Sequence, residues 1–440
     1  MWHIFVSALS LGLALAVVAA PTPARPKLVR RLTPGANAIS LSRTNSITDL
    51  ATGQFNETFC MAHMIYLERK QYANAMAYYK NTGEVLPGLN VTVPQLKTIH
   101  ARLFRRQAGN GTTIALTDIG PDLLWSGPVQ VGTPPKTFNV DFDTGSSDFF
   151  LASDQCPTAQ CAGKNLLTPS QSSTSANTGN NFQISFGDGS AVRANVLTDV
   201  VTIGSLSITN SAVGTVTQLS RSFTTAGGDA SDGLMGLAFP VLAESKQNPY
   251  FTNLAKLSPT QGMMSFKFVG KNAPGSELTI GGMNTAAFTG QLAFSPVLTT
   301  QGQPPTSWTI RMGQASVGGK PVQTTSQFAT IDTGTSVVIA PQADAQAIYA
   351  AIPGSRLGQN GLFSYPCGAK PDIALSFAGQ NFNIKAADLS LGTDATNTTC
   401  TGSIVPSAQR TAWLVGDSFL KNVYTVFDQT KLQVGFAKLA

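Results

Sequence analysis

Two aspartates in this 440-residue chain occupy nearly the same local sequence. One lies in FNVDFDTGSSDFF, residues 138 to 150, and the other in FATIDTGTSVVIA, residues 328 to 340. Asp143 and Asp332 each end an apolar run. Thr144-Gly145-Ser146 follows the first and Thr333-Gly334-Thr335 the second. An isolated carboxylate of this kind could simply form an Asx turn at a strand end. A pair has a different chemistry. Two carboxyl groups held close cannot both ionise cheaply, so they share a proton, with one pKa lowered and the other raised. The ionised member can take a proton from a water between them, while the protonated member donates to a substrate carbonyl. The glycine permits backbone conformations and close approaches that a side chain would forbid. The hydroxyls can donate to the carboxylates and orient them.

Positioning two such loops requires two equivalent scaffolds, and the sequence contains a duplication. Asp143 and Asp332 are 189 residues apart. Gly236, in GLMGLAF, follows Asp143 by 93 residues, and Gly416, in AWLVGDSF, follows Asp332 by 84. An Asp-Thr-Gly loop and then an apolar-apolar-Gly segment thus occur twice, in the same order and at similar spacing. Short β-branched runs between Gly-, Ser- and Thr-rich turns predict a mostly β protein. The length predicts more than one compact unit.

Composition narrows the chemistry. All three histidines, His3, His63 and His100, precede Arg106. From Gln107 onward, Ser-His-Asp and Cys-His nucleophilic devices and His-based zinc sites are therefore excluded. Cys156 and Cys161 bracket a short loop, Cys367 and Cys400 a longer excursion, and both pairs are read as disulfides. Cys60 is left over. Acid–base work in this part of the chain falls to carboxylates, with no cofactor or metal implied. Charge is unevenly placed: residues 21 to 106 hold 12 Lys/Arg against 4 Asp/Glu, and residues 107 onward 17 against 19. The reversal coincides with Arg105-Arg106, which predicts processing after Arg106. A cationic segment can plug an anionic cleft. The first 20 residues have the apolar run and small residues of a signal peptide, and Asn56, Asn90, Asn110 and Asn397 begin Asn-x-Thr sequons. The expectation is a secreted monomer with no nucleic-acid or membrane partner.

The ordered set VGTPPKTFNVDFDTGSSDFF, ISFGDGS, DGLMGLAFP, ELTIGGMNTAAFTGQL, ATIDTGTS and WLVGDSFLKNVYTVFD resembles the pepsin-family aspartic proteases of the fungal secreted type, made as zymogens. The resemblance covers roughly residues 120 to 440. It implies an all-β bilobal fold with the cleft between the lobes, and a secreted acid endopeptidase acting on polypeptides. Asp143 and Asp332 match the catalytic positions, Thr144 and Thr333 the threonines bracing the loops, and Ser146 and Thr335 the adjacent hydroxyls. The expected division is a signal peptide (1–20), a basic propeptide that inhibits its own enzyme (21–106), an N-terminal lobe (107–300) and a C-terminal lobe (301–440).

Residues 184 to 190 align with the flap over the substrate. Phe186 stands where the family usually has tyrosine, and Phe150 where its tryptophan partner would be, so aromatic packing is expected to replace a hydrogen bond. Gly187 suits the tight turn. Asp188 and Asp141 border, by resemblance, the pocket for the residue before the scissile bond, which would accept Lys or Arg as well as large apolar side chains. A catalytically impaired binding protein on the same scaffold is the competing reading. Within the basic segment, the spacing predicts a helix over 61–80, stopped at Asn81-Thr82-Gly83. Lys80 is the expected partner of the catalytic pair, with Lys97 as the alternative.

Overall fold

The duplication seen in the sequence is present in the strands, register by register. In the computed structural model, Lys136–Asp143 runs parallel to Gly233–Gly236, placing Asp143 opposite Gly236. Phe149–Ala152 pairs antiparallel to that same short strand and parallel to Leu206–Gln218. The second half repeats the pattern. Phe328–Ile331 is parallel to Trp413–Val415, Val338–Pro341 is antiparallel to Trp413–Val415, and Val338–Pro341 is parallel to Ile404–Ser407. In both halves the strand ending in the glycine threads between the two arms of an Asp loop. These central strands are apolar and buried throughout, as parallel pairing covered on both faces requires.

The structure describes residues 46–49, 52–89, 112–120, 122–185, 191–220, 223–224, 229–257, 262–271, 273–299 and 303–440. The expected signal peptide (1–20), Lys97, the processing site at Arg106, and the flap-tip residues Phe186, Gly187 and Asp188 lie outside them.

The first Asp loop belongs to an eight-stranded sheet and the second to a five-stranded sheet. A six-stranded antiparallel sheet joins the halves. Its order is Thr112–Ala115, Glu277–Ile280, Met263–Lys267, Val423–Asp428, Gln433–Leu439 and Phe288–Pro296. Strands from both sides of position 300 therefore alternate in one sheet, and residues 423–439 complete a layer begun before the expected lobe boundary. Beneath that junction the Lys421 ammonium holds Asp388 at 3.0 Å and also pairs with Asp122. Both expected disulfides form, Cys156–Cys161 and Cys367–Cys400.

Helix α1 spans Glu57–Thr82. Asn56 caps it by accepting from the Phe59 amide, Glu57 and Lys80 complement its dipole, and Gly83 ends it at φ 77°. It packs on both halves. Cys60, Met64 and Leu67 join Val337, Ile339 and Leu414, whereas Ala75 and Tyr78 join Ala238 and Leu242. Cys60 is a buried free thiol pushed up to about 12, mainly by burial and then by Glu57.

Gly416 tests the threading. A Cβ there would lie 1.8 Å from the Thr335 carbonyl and 2.5 Å from that of Val337, both rigid backbone. Gly416→Ala should cost at least about 3 kcal/mol, because a packed backbone cannot yield without moving the Asp332 loop. A denaturant melt of the full-length variant checks this. A midpoint equal to wild type would remove the steric argument.

Candidate active site

The two Asp loops meet tip to tip through reciprocal hydrogen bonds. The Thr144 amide donates to Thr333 Oγ1 at 3.0 Å, and the Thr333 amide donates to Thr144 Oγ1 at 3.0 Å. Each hydroxyl then crosses into the opposite strand. Thr144 Oγ1 donates to the Ile331 carbonyl at 3.0 Å, and Thr333 Oγ1 to the Phe142 carbonyl at 2.6 Å. All four groups are buried. Deleting either hydroxyl would orphan a buried amide and a buried carbonyl, at roughly 1–3 kcal/mol each.

That junction brings Asp143 and Asp332 together, and both are fully buried. The local donors repeat across the pair. Gly145 N donates to Asp143 Oδ1 at 2.8 Å, and Gly334 N to Asp332 Oδ1 at 2.9 Å. Ser146 Oγ donates to Asp143 Oδ2, and Thr335 Oγ1 to Asp332 Oδ2 at 2.7 Å. The reason for glycine is now specific. A Cβ on Gly145 would lie 2.4 Å from the Asp332 carboxylate, and one on Gly334 would lie 2.3 Å from Asp143 Oδ1. Neither glycine has a positive φ, so the requirement here is distance alone.

Three residues of α1 reach this pair. Lys70 Nζ lies 2.7 Å from Asp143 Oδ1 and 3.1 and 3.2 Å from the Asp332 oxygens, and also donates to the Gly334 carbonyl at 3.1 Å. Asn74 Nδ2 donates to the Gly145 carbonyl at 2.6 Å, and Gln71 Nε2 approaches Asp332 Oδ2 at 3.5 Å. The expected Lys80 is elsewhere. It is bound to both Glu244 oxygens at 2.8 and 2.9 Å, ten residues and nearly three helical turns beyond Lys70. The sequence reading missed Lys70 because it matched a local Tyr-Tyr-Lys pattern, whereas helix phase decides which lysine faces the dyad. A signal was present. His63, Lys70 and Asn74 lie on the same stripe as the apolar Leu67, and polar residues on a buried helix face require partners. His63 Nε2 finds its partner in Ser336 Oγ at 2.7 Å. Burial and then Lys70 push its imidazole down to about 3, so it stays neutral.

The titrations of the dyad separate. Burial lifts Asp143 to about 6, in opposition to Lys70 and with the help of the Asp332 charge. Burial would lift Asp332 too. Lys70 and the hydrogen bonds from Asp143, Thr335 and Gly334 outweigh it and hold Asp332 below 3.8. The pair thus distinguishes a proton carrier from a charge carrier.

Beside Asp143 lies an apolar cavity walled by Phe150, Ile184, Phe223 and Leu234. Tyr66 of α1 fills part of it, packing edge-on to Phe223 at 5.2 Å, and Phe223 in turn meets Phe150 edge-on at 5.6 Å. Phe150 thus packs on Phe223, and the expected packing of Phe150 with Phe186 lies outside the described residues. Asp141 is buried two residues before Asp143 but is not part of the cavity wall while α1 is docked. One of its oxygens has no hydrogen-bond partner. Burial, then Asp143 and Asp229, raise it well above the usual carboxylate range and so favour its protonated form. Among the described residues no cluster of ligating side chains could hold a metal, and no helix is long and apolar enough to cross a membrane.

Comparison with known proteins agrees with this geometry. The family model described as eukaryotic aspartyl protease matches residues 125–439. An aspartic protease of Phaffia rhodozyma is 38% identical over 351 residues, covering 78% of this chain and 82% of that one. Endothiapepsin of Cryphonectria parasitica is 33% identical over 343 residues, covering 76% and 79%. Major aspartyl peptidase 1 of Cryptococcus neoformans var. grubii is 30% identical over 353 residues, covering 74% and 71%. Two buried aspartates on duplicated Asp-Thr-Gly loops, in a bilobal β fold that matches this family over most of its length, make the chain a peptide-bond hydrolase belonging to the eukaryotic aspartyl proteases.

Proposed function

We propose that the protein is a secreted acid endopeptidase made as a zymogen, with Asp143 and Asp332 as its catalytic residues. The observation that carries this reading is the shared Lys70 ammonium: two buried carboxylates lie close enough to bind one cation. In the working enzyme a water takes the place of that cation. Asp332, held ionised, accepts a proton from the water as its oxygen attacks the scissile carbonyl carbon. Asp143, holding the shared proton, donates it to the carbonyl oxygen. The tetrahedral diol then collapses, its C–N bond breaks, and the departing nitrogen takes a proton from the dyad. Ser146 and Thr335 orient the carboxylates, and Thr144 and Thr333 fix their separation.

In this reading residues 1–20 are the signal peptide, residues 21–106 the propeptide, and Arg106 the processing site. The propeptide inhibits by occupation: Lys70 replaces the water and Tyr66 the side chain of a bound peptide. The position of Tyr66 supports a preference for large apolar residues beside the scissile bond. Acceptance of Lys or Arg in the same region would require Asp141 to ionise, which its burial opposes while α1 is docked. The substrates are polypeptides, as family membership implies.

Acidification acts in order. Asp143 takes up its proton near pH 6, while Asp332 stays ionised and keeps Lys70. A depressed carboxylate stabilises docking above its free pKa and loses that contribution as pH falls through the depressed value. The Lys70–Asp332 contact should therefore outlast the protonation of Asp143 and give way only as pH falls below the ordinary carboxylate range. Glu244 behaves oppositely. Burial raises it despite Lys80, so the outer pair loses its charge at a higher pH than the inner one.

Two measurements test these statements. With residues 1–106 removed, denatured haemoglobin should be cleaved at about pH 4. Asp143→Asn or Asp332→Asn should each lower the rate at least about 10³-fold. A folded variant that retains wild-type activity would dismiss the dyad. In the full-length protein, Lys70→Met should raise peptide cleavage at pH 5 by at least about tenfold, because a buried pair loses its cation. Full-length Lys70→Met that stays as silent as wild type would show that other contacts hold α1 in the cleft.

A further inference from the structure

The chain leaving α1 runs past Ala238 and Leu242 and then along a strand edge of the second lobe as an extended segment. Leu86 is buried against Ala75, Tyr78, Ala238 and Leu242. Leu89 then pairs antiparallel with Arg410, and the Thr411 amide donates to the Gly88 carbonyl at 3.0 Å. Gly88 is required there. Its φ is +90°, and a Cβ would meet that of Ala412 at 3.0 Å. Main-chain pairing of this kind is how an extended peptide adds to an exposed strand edge.

Arg410 is the notable residue of that wall. Its side chain is buried, with 8% of the residue exposed. Its Nε donates to the Ala412 carbonyl at 3.0 Å. Among the described residues, that is the guanidinium's one protein acceptor, and no carboxylate lies within ion-pair distance of it. A guanidinium presents five N–H donors in a planar fork suited to a carboxylate. Burial pushes Arg410 down to about 10, and the negative charge of Asp332 works the other way, so it stays cationic at any pH at which the dyad works. A cation sunk in a wall that pairs with an extended chain, its remaining donors unmatched by the protein yet not sealed from solvent, is placed to meet a ligand.

We propose that Arg410 is a specificity-determining residue that binds a substrate carboxylate in the half of the cleft now covered by Leu86–Leu89. When that segment departs, its place is open to a peptide running along the same edge, and an acidic side chain of the peptide meets the unmatched donors. A peptide's own C-terminal carboxylate has the same chemistry. The inference rests on the proteolytic reading above.

The test uses the enzyme freed of residues 1–106, with end-blocked neutral peptides in which one Glu, or its isostere Gln, is moved a position at a time. A second arm compares free and amidated C-termini. Assays at about pH 5 keep most of the Glu ionised. At one position Glu should exceed Gln in kcat/KM by about tenfold, as a charge-assisted contact would give. Arg410→Ala should abolish the preference and Arg410→Lys should keep part of it, with the neutral peptide cleaved as by wild type in both. A preference seen only with free C-termini, and lost in Arg410→Ala, would support the same residue with the terminal carboxylate as ligand. Equal rates for every Glu/Gln and free/amidated pair, or a preference that survives Arg410→Ala, would overturn the inference. Wild type that cleaves no peptide at all would instead overturn the proteolytic reading beneath it.

Discussion

The hydrogen bonds exchanged by Thr144 and Thr333 are the constraint on which the rest of the structure depends. They are short, buried and reciprocal, so the two loops cannot slide past each other without orphaning polar groups on both sides. Once the loop tips are locked, each glycine is pressed against the other loop's carboxylate, and the separation of Asp143 and Asp332 follows. The surrounding sheets serve that junction. In each half, a strand ending in glycine passes between the arms of the Asp loop: the Gly236 amide bonds the Asp148 carbonyl, and the Gly416 amide bonds that of Val337. The six-stranded sheet then holds the two halves at the distance the threonines require.

A junction so tight creates an electrostatic problem, and helix α1 resolves it in the intact chain. Two buried carboxylates repel, and removal from water penalises the charge of each. Lys70 supplies a cation with donors to both, while Gln71 and Asn74 add polar contacts from the same helical turn. The cation stands where the chemistry needs a water. In the zymogen reading proposed above, inhibition and stabilisation of the docked helix are therefore one interaction, which cannot be tuned for the first without changing the second.

Much of this was legible from sequence because it is local or repeated. The duplicated Asp-Thr-Gly loops, the later glycines and the end of α1 at Gly83 follow from patterns within a few residues, whereas its start at Glu57, capped by Asn56, lies four residues before the expected one. The absence of histidine beyond Arg106 left carboxylates as the acid–base groups. What escaped depends on phase and long-range pairing. Lys70 rather than Lys80 reaches the dyad because of where the helix turns relative to the cleft, and local resemblance contains no such information. Pairing of Met263–Lys267 with Val423–Asp428 joins segments about 160 residues apart, and no turn or periodicity announces it. Asp141 was expected to border a pocket by family resemblance. With α1 docked, the cavity beside Asp143 is walled by Phe150, Ile184, Phe223 and Leu234 and partly filled by Tyr66, and Asp141 is not among its lining residues.

The further carboxyl groups around the dyad bear on how one proton can be shared cleanly. Asp417 follows the threaded Gly416, and neither of its carboxylate oxygens has a hydrogen-bond partner. Burial first, and then Asp141 and Asp332, raise it well above the ordinary range, much as Asp141 is raised. Groups so raised hold their protons at the pH at which the dyad operates, so they add apolar bulk and dipoles to the site but no formal charge. If they were ionised, their fields would favour protonation of both dyad members, and the charge carrier would be lost. Burial without partners keeps them neutral. The charge near the scissile bond is then set by Asp143 and Asp332, and while α1 is docked it is Lys70 first, and the hydrogen bonds after it, that hold Asp332 below Asp143.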